Sequence, residues 1–186
     1  MLEVTNTPIA VDELSMPGFP EFLAYWQGLC GKRLAPSWND VELIDLPAKL
    51  VPYVTMVDVT PDGSDFVYRF IGTGHMATKA RDYTARSVRS IRPGQMADAI
   101  YEQYRQTVKA AKPMAFVRTI RGFSEDHTLS QTTIRLPLSD KGIDVNGIMS
   151  LSDWRHQPEM RDFYVCHARN LQGGAPFGSG LQRHAV

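Results

Sequence analysis

The order of elements legible in the chain predicts an α+β domain: a five-stranded antiparallel sheet with helices on one face and an N-terminal capping helix. Three observations carry this. Two strand-like segments joined by a tight turn come first, three more close the domain, and the helical stretches fall between the two groups. Hairpin-like halves separated by helices point to antiparallel pairing, because a parallel sheet would alternate strand and helix. The chain has 186 residues, of which 43% are hydrophobic. That is enough for a core and fits one domain of about 150 residues with extensions.

Residues 1–18 are polar and contain proline, and read as a loose arm. Phe19, Phe22, Leu23, Trp26, Leu29 and Cys30 then recur at helical spacing, with Pro20 in the first turn and Gly31 at the end. Pro36 to Asn39 make a turn, and Asn39 or Asp40 is placed to cap a short helix through Leu46, closed by Pro47. Residues 53–59 are rich in β-branched side chains, and Pro61-Asp62-Gly63 supplies a turn in which proline presets φ and glycine accepts a positive one. Residues 65–71 return as a strand, with Phe66, Tyr68 and Phe70 on one face and Val67, Arg69 and Ile71 on the other. The two form a hairpin.

Residues 72–94 are irregular, with short helical stretches near 76–79 and 87–91. A longer helix runs over about 95–111, its stripe formed by Met96, Ala99, Ile100, Tyr104, Val108 and Ala111. Three strands follow, at 114–121, 131–138 and 145–152, the last two joined through Lys141-Gly142. Both faces of the first are half apolar, so both are expected to be covered, and the helix at 19–30 is the cover available for the second face. One short helix is expected near 158–171, and the glycines at 173, 174, 178 and 180 mark a disordered tail. The organisation predicted is a flexible arm over 1–19, a domain over 20–154 and a partly disordered extension over 155–186.

Local sequence sharpens this reading. Tyr25-Trp26 followed by Gly31-Lys32-Arg33-Leu34-Ala35-Pro36-Ser37, then Leu50-Val51-Pro52-Tyr53-Val54 and the strand pair ending in Tyr68-Arg69-Phe70-Ile71-Gly72-Thr73, resembles a family of small bacterial single-domain PAS proteins. The resemblance spans roughly residues 20–154. It implies a PAS-like fold with a pocket between the sheet and the helices, where many PAS domains hold a flavin, a haem or a small metabolite. It leaves the cofactor of this chain unknown, since members of the family are mostly of unassigned function. On that basis the ligand-binding candidates are Tyr68, Phe70, His75, Met76, Met96, Ile100, Tyr104, Phe116, Arg118, Ile134 and Met149. Pockets of this kind are mostly apolar with a few polar groups. Methionines and aromatics at strand and helix periods equally well fill a core that binds nothing.

Charge separates function classes. The chain carries 20 basic and 20 acidic side chains, a formal net charge of zero. That excludes the strongly basic surface of a nucleic-acid binder that works by counterion release. The balance is segregated, −5 over residues 1–60 and +5 over 61–120. Lys79, Arg81, Arg86, Arg89 and Arg92 are opposed only by Asp82, which reads as a solvated face or as a surface for an anionic partner. No run approaches the roughly 20 apolar residues of a membrane span. Two cysteines and no N-terminal basic-then-apolar pattern fit a cytoplasmic protein.

Enzyme signatures are weak. No Gly-x-Ser-x-Gly elbow and no phosphate loop occur. Ser124, Glu125, Asp126 and His127 are sequence neighbours, whereas triad members converge from separate elements. The histidines show no metal-ligand spacing. Haem-binding PAS domains usually carry their axial His on the long helix, and residues 95–111 contain none, so His75 reads as a surface or capping residue. Neither Cys30 nor Cys166 falls in the pocket helices, which argues against a flavin–cysteinyl adduct and leaves flavin without an adduct open.

The sequence therefore predicts a non-catalytic sensory or adaptor module of bacterial signal transduction that binds a small molecule, a protein partner, or both. Phe19, Phe22 and Trp26, with Arg81, Arg86 and Arg89, are its interaction candidates, the aromatic three through an N-terminal-helix homodimer. A small enzyme or carrier using the same pocket, and a packed-core interaction module without ligand, stand as alternatives.

Overall fold

The computed structural model describes residues 2–79, 82–122, 128–152, 159–160 and 162–165. Six strands form one antiparallel sheet: β1 (Glu3–Ile9), β2 (Val54–Val59), β3 (Phe66–Ile71), β4 (Met114–Arg121), β5 (Leu129–Leu138) and β6 (Gly147–Leu151). Their order across the sheet is β1-β4-β5-β6-β2-β3. The helices are α1 (Phe19–Cys30), α2 (Thr73–Lys79) and α3 (Gly94–Ala110).

The expectation of five strands and a loose arm is corrected by β1. Residues 3–9 pair with β4 along their whole length, from Glu3 opposite Arg121 to Ile9 opposite Ala115. The segment is polar in composition, yet Val4, Thr5 and Thr7 are β-branched. Pro8 is tolerated because β1 is an edge strand and one missing N–H can face away from the sheet.

The β2–β3 hairpin forms as read, with one difference that moves a side chain. Val57 pairs with Tyr68 and Met56 with Phe70, so the register shifts and Arg69 is the extra residue. A bulge of this kind reverses the alternation beyond it. Phe66 and Tyr68 point to one core, whereas Phe70 packs against the other. The expectation of all three on one face fails for that reason. Gly72 ends the hairpin where the chain runs against the carbonyls of Val51 and Pro52, which a Cβ there would strike.

The sheet is covered on both faces, with α1 over the second. On one side α3, α2 and the 3-10 turn at Val88–Ser90 enclose Val57, Phe66, Tyr68, Val88, Ile91, Met96, Ile100, Tyr104, Ile120 and Ile148. On the other, α1 and the irregular stretch that follows bury Phe19, Phe22, Trp26, Leu50, Val54, Met56, Ile134, Leu136, Met149 and Leu151. Trp26 fixes α1 by donating its indole N–H to the Pro137 carbonyl of β5 at 2.7 Å. The expected helix before Leu46 is two 3-10 turns, Trp38–Asp40 and Leu43–Asp45, and the cap is Ser37, whose Oγ accepts from the Asn39 amide at 3.1 Å.

Residues 159–160 and 162–165 are helical, and Met160, Phe163 and Tyr164 join the α3-side core. At least this part of the C-terminal extension belongs to the packed molecule. The glycine-rich tail lies outside the described residues, as do Cys166 and the loop holding Ser124 to His127.

Candidate functional site

β5 is an inner strand, and its sequence alternates Gln131, Thr133 and Arg135 against Thr132, Ile134 and Leu136. The apolar set meets α1, which aims the polar set at α3. On β4, Arg118 lies opposite Gln131 and Phe116 opposite Thr133. On β6, Ser150 lies opposite Arg135. The centre of the α3 side is therefore a polar island inside an apolar shell.

Two guanidiniums define it. Arg118 and Arg135 are each 3% exposed. Arg118 donates to Gln131 Oε1 and, at 3.4 Å, to the Tyr164 hydroxyl. Arg135 donates to Gln103 Oε1 at 2.7 Å and lies over the Tyr104 ring, 4.0 Å from its centre. Gln103 passes the contact on: its Nε2 donates to Asn6 Oδ1 at 2.7 Å, and Asn6 Nδ2 donates to the Ala99 carbonyl at 2.7 Å. Nearby, the hydroxyls of Thr133 and Ser152 share a 2.7 Å hydrogen bond.

None of the ion pairs among the described residues involves either arginine; all five join partly exposed side chains. Nε and Nη1 of Arg118, Nε of Arg135, Nε2 of Gln131 and Oγ of Ser150 find no hydrogen-bond partner there. A buried charge whose counter-charge has been removed costs about 3–5 kcal/mol, so two together form an expensive arrangement for a mere filler of space. Burial pulls Arg135 below the ordinary arginine pKa. The Arg118 charge acts in the same direction, opposed by the phenols of Tyr104 and Tyr68. Burial likewise pushes the Tyr68 phenol well up, reinforced by Tyr104 and opposed by Arg135. Tyr164 is raised chiefly by burial, against the pull of Arg118. These last two phenols stay neutral at ordinary pH and supply no counter-charge.

Of the residues expected to line a pocket, Tyr68, Met96, Ile100, Tyr104, Phe116 and Arg118 lie on the α3 side, and Met76 packs against that core half-buried. Phe70, Ile134 and Met149 lie on the α1 side. Phe70 was moved by the bulge, and the other two belong to the apolar set of inner strands that alternates away from α3. His75 was expected at the surface or as a cap but is 3% exposed. Its Nε2 lies 2.8 Å from the Tyr53 carbonyl, which can only accept, so the proton is on Nε2. The same carbonyl accepts from the Ser152 amide at 3.2 Å, so His75 helps tie α2 to the end of β6.

Sequence reasoning missed Arg135, Gln131, Gln103, Asn6 and Tyr164. The usable signal was the Gln131, Thr133, Arg135 alternation, which normally marks a solvated strand face. Only the placement of β5 between β4 and β6, beneath α3, shows that this face is interior.

The interaction candidates separate in the same way. Phe19 and Phe22 are fully buried and Trp26 nearly so, all within their own chain. Arg89 covers the Tyr101 ring at 4.0 Å and comes within 3.9 Å of Asp65. Arg86 is exposed, and Arg81 lies outside the described residues. Among the described residues no group of three His, Cys, Asp or Glu is placed to hold a metal, and no helix is long and apolar enough to cross a membrane.

No family model and no curated protein sequence matches the chain. Among solved structures it is similar to one titled as that of an RNA-binding Light-Oxygen-Voltage receptor. Identity is 14% and the TM-score 0.41, over 94% of this chain and 44% of the receptor chain. The chain thus spans less than half the length of that protein.

Proposed function

We propose that this chain is a non-catalytic sensory or adaptor module of PAS type, binding a small molecule between the sheet and α3 and reporting it to a protein partner. The observation that carries the reading is the buried polar island around Arg118 and Arg135, with hydrogen-bonding capacity its own chain leaves unused. Interiors close-pack and satisfy their polar groups, so such a cluster beneath a helix is a binding site by its chemistry. The sequence resemblance supports the PAS assignment and a place in bacterial signalling. So does the element order after β1 and α1, two strands, then helices, then three strands, with the first strand of that run, β2, paired to the last, β6.

The route outward follows the hydrogen bonds. Arg135 holds Gln103 of α3, and Gln103 holds Asn6 of β1, so a ligand that repositions Arg135 acts on an edge strand at the surface. A ligand that favours one packing of α3 and β1 over another shifts their population by its difference in affinity. The donor set of guanidinium, amide and hydroxyl suits an acceptor-rich ligand better than haem iron. Cys30 belongs to the core on the opposite face of the sheet, so it forms no adduct with a ligand under α3.

The test is the native mass of freshly purified protein against its denatured mass, with the absorption spectrum recorded alongside. A bound mass released on denaturation supports the reading. Identical masses, with no visible band and no thermal shift from a metabolite pool, leave a filled core and defeat it.

A further inference from the structure

We propose that Arg118 and Arg135 together bind a compact dianionic oxyacid, a dicarboxylate or a phosphate, beneath α3. This rests on the ligand-binding reading above and names the class of ligand.

Three observations fix the class. The first is charge: two guanidiniums are held in the interior, and among the described residues neither has a carboxylate partner. A cation is repelled, and a neutral ligand leaves both charges uncompensated. The second is the direction of the unused hydrogen bonds. Of the six unpartnered atoms around the island, Nε and Nη1 of Arg118, Nε of Arg135 and Nε2 of Gln131 are N–H donors, and the hydroxyls of Ser150 and Tyr104 can also donate. A ligand matching that set is rich in acceptors, and the planar guanidinium fork fits the oxygens of a carboxylate or phosphate. The third is that the arginines are already aimed. Gln131 and Tyr164 hold one and Gln103 with the Tyr104 ring holds the other, so their orientation is set before a ligand arrives. Phe116, Met96 and Ile100 are buried apolar side chains on the same side of the sheet, so the charged groups of a ligand there are met by the arginines and their polar neighbours alone.

The experiment is isothermal titration of the purified full chain, separately with succinate and with inorganic phosphate at fixed ionic strength. Thermal shifts are followed in parallel. Wild type is expected to bind at least one of the two with a stoichiometry of one, and the preferred anion separates the two sources. Arg118→Met and Arg135→Met are each expected to weaken binding at least 10-fold, the loss of charge-assisted hydrogen bonds, in anion-free protein that still folds and unfolds cooperatively. A purely structural role for the arginines predicts the reverse, unfolding without any anion response. Arg118→Lys, which keeps the charge and loses the fork, covers the case in which a methionine variant does not fold, and it too should bind more weakly.

Failure of wild type to bind either anion overturns the proposal. If the native mass shows a bound neutral molecule while both titrations are flat, the oxyanion assignment falls and the sensory reading stands. If neither experiment shows a bound species, both fall.

Discussion

Asp62 shows how much a single residue settles. Its carboxylate accepts from the Thr60 hydroxyl at 2.6 Å and from the Ser64 amide and hydroxyl at 3.1 and 2.7 Å. These hydrogen bonds hold its pKa at about 2. A folded value below the unfolded one of about 3.9 gives stability that is full above pH ~4 and lost as the pH falls through about 2. Asp62→Asn should therefore be less stable than wild type near neutrality, with the difference closing between pH ~4 and 2. Urea denaturation at a series of pH values checks it, and a gap that persists at pH 2 contradicts it. The turn was legible in the sequence because Pro61-Asp62-Gly63 has a local mechanism. Arg135 was not, because nothing local distinguishes an arginine facing water from one facing α3.

At the scale of elements, the stretches with a strong local pattern were the ones the sequence located: the α1 stripe, the β2–β3 hairpin and the long helix α3. The differences lie where pairing overrides pattern. β1 has too few apolar residues to signal a strand alone, and its place is set by seven residue pairs with β4 and by Asn6 reaching α3. Asn6→Ala leaves Nε2 of the fully buried Gln103 without its acceptor, at a cost of about 1–3 kcal/mol. Urea denaturation should show that loss, and hydrogen exchange should show β1 amides opening before those of β5 and β6. Uniform protection of β1 in the variant would contradict a link between β1 and α3. The bulge at Arg69 is the other override. Arg69 gains a 2.8 Å ion pair with Asp58 and a place over the Trp38 ring at 4.1 Å. Turning it outward rotates Phe70 to the α1 side.

For the whole molecule, the distinction that matters is between two cores of different chemistry. The α1 side buries a hydrophobic cluster that includes Phe19, Phe22 and Trp26 and holds no buried arginine. Trp26→Ala removes a large buried ring and the hydrogen bond to Pro137, and should cost about 3–5 kcal/mol. Because the ring is buried within its own chain, light scattering should give the same mass as wild type. A change from dimer to monomer would restore the homodimer reading of α1. The α3 side has the opposite character, a polar centre whose unused donors converge on no partner of their own. Its existence was half legible: Tyr68, Tyr104 and Arg118 were named as pocket candidates through the PAS resemblance, while their arginine and glutamine neighbours became visible only with the sheet order.

The central claim, that Arg118 and Arg135 face an external oxyanion, is read most directly from the arginine Nε–Hε signals of 15N-labelled protein titrated with succinate and with phosphate. Arg118→Met and Arg135→Met assign the two signals. The account predicts that both shift together and saturate with one of the anions, while the signals of exposed arginines such as Arg86 stay in place. Two buried signals unmoved by either anion would contradict it.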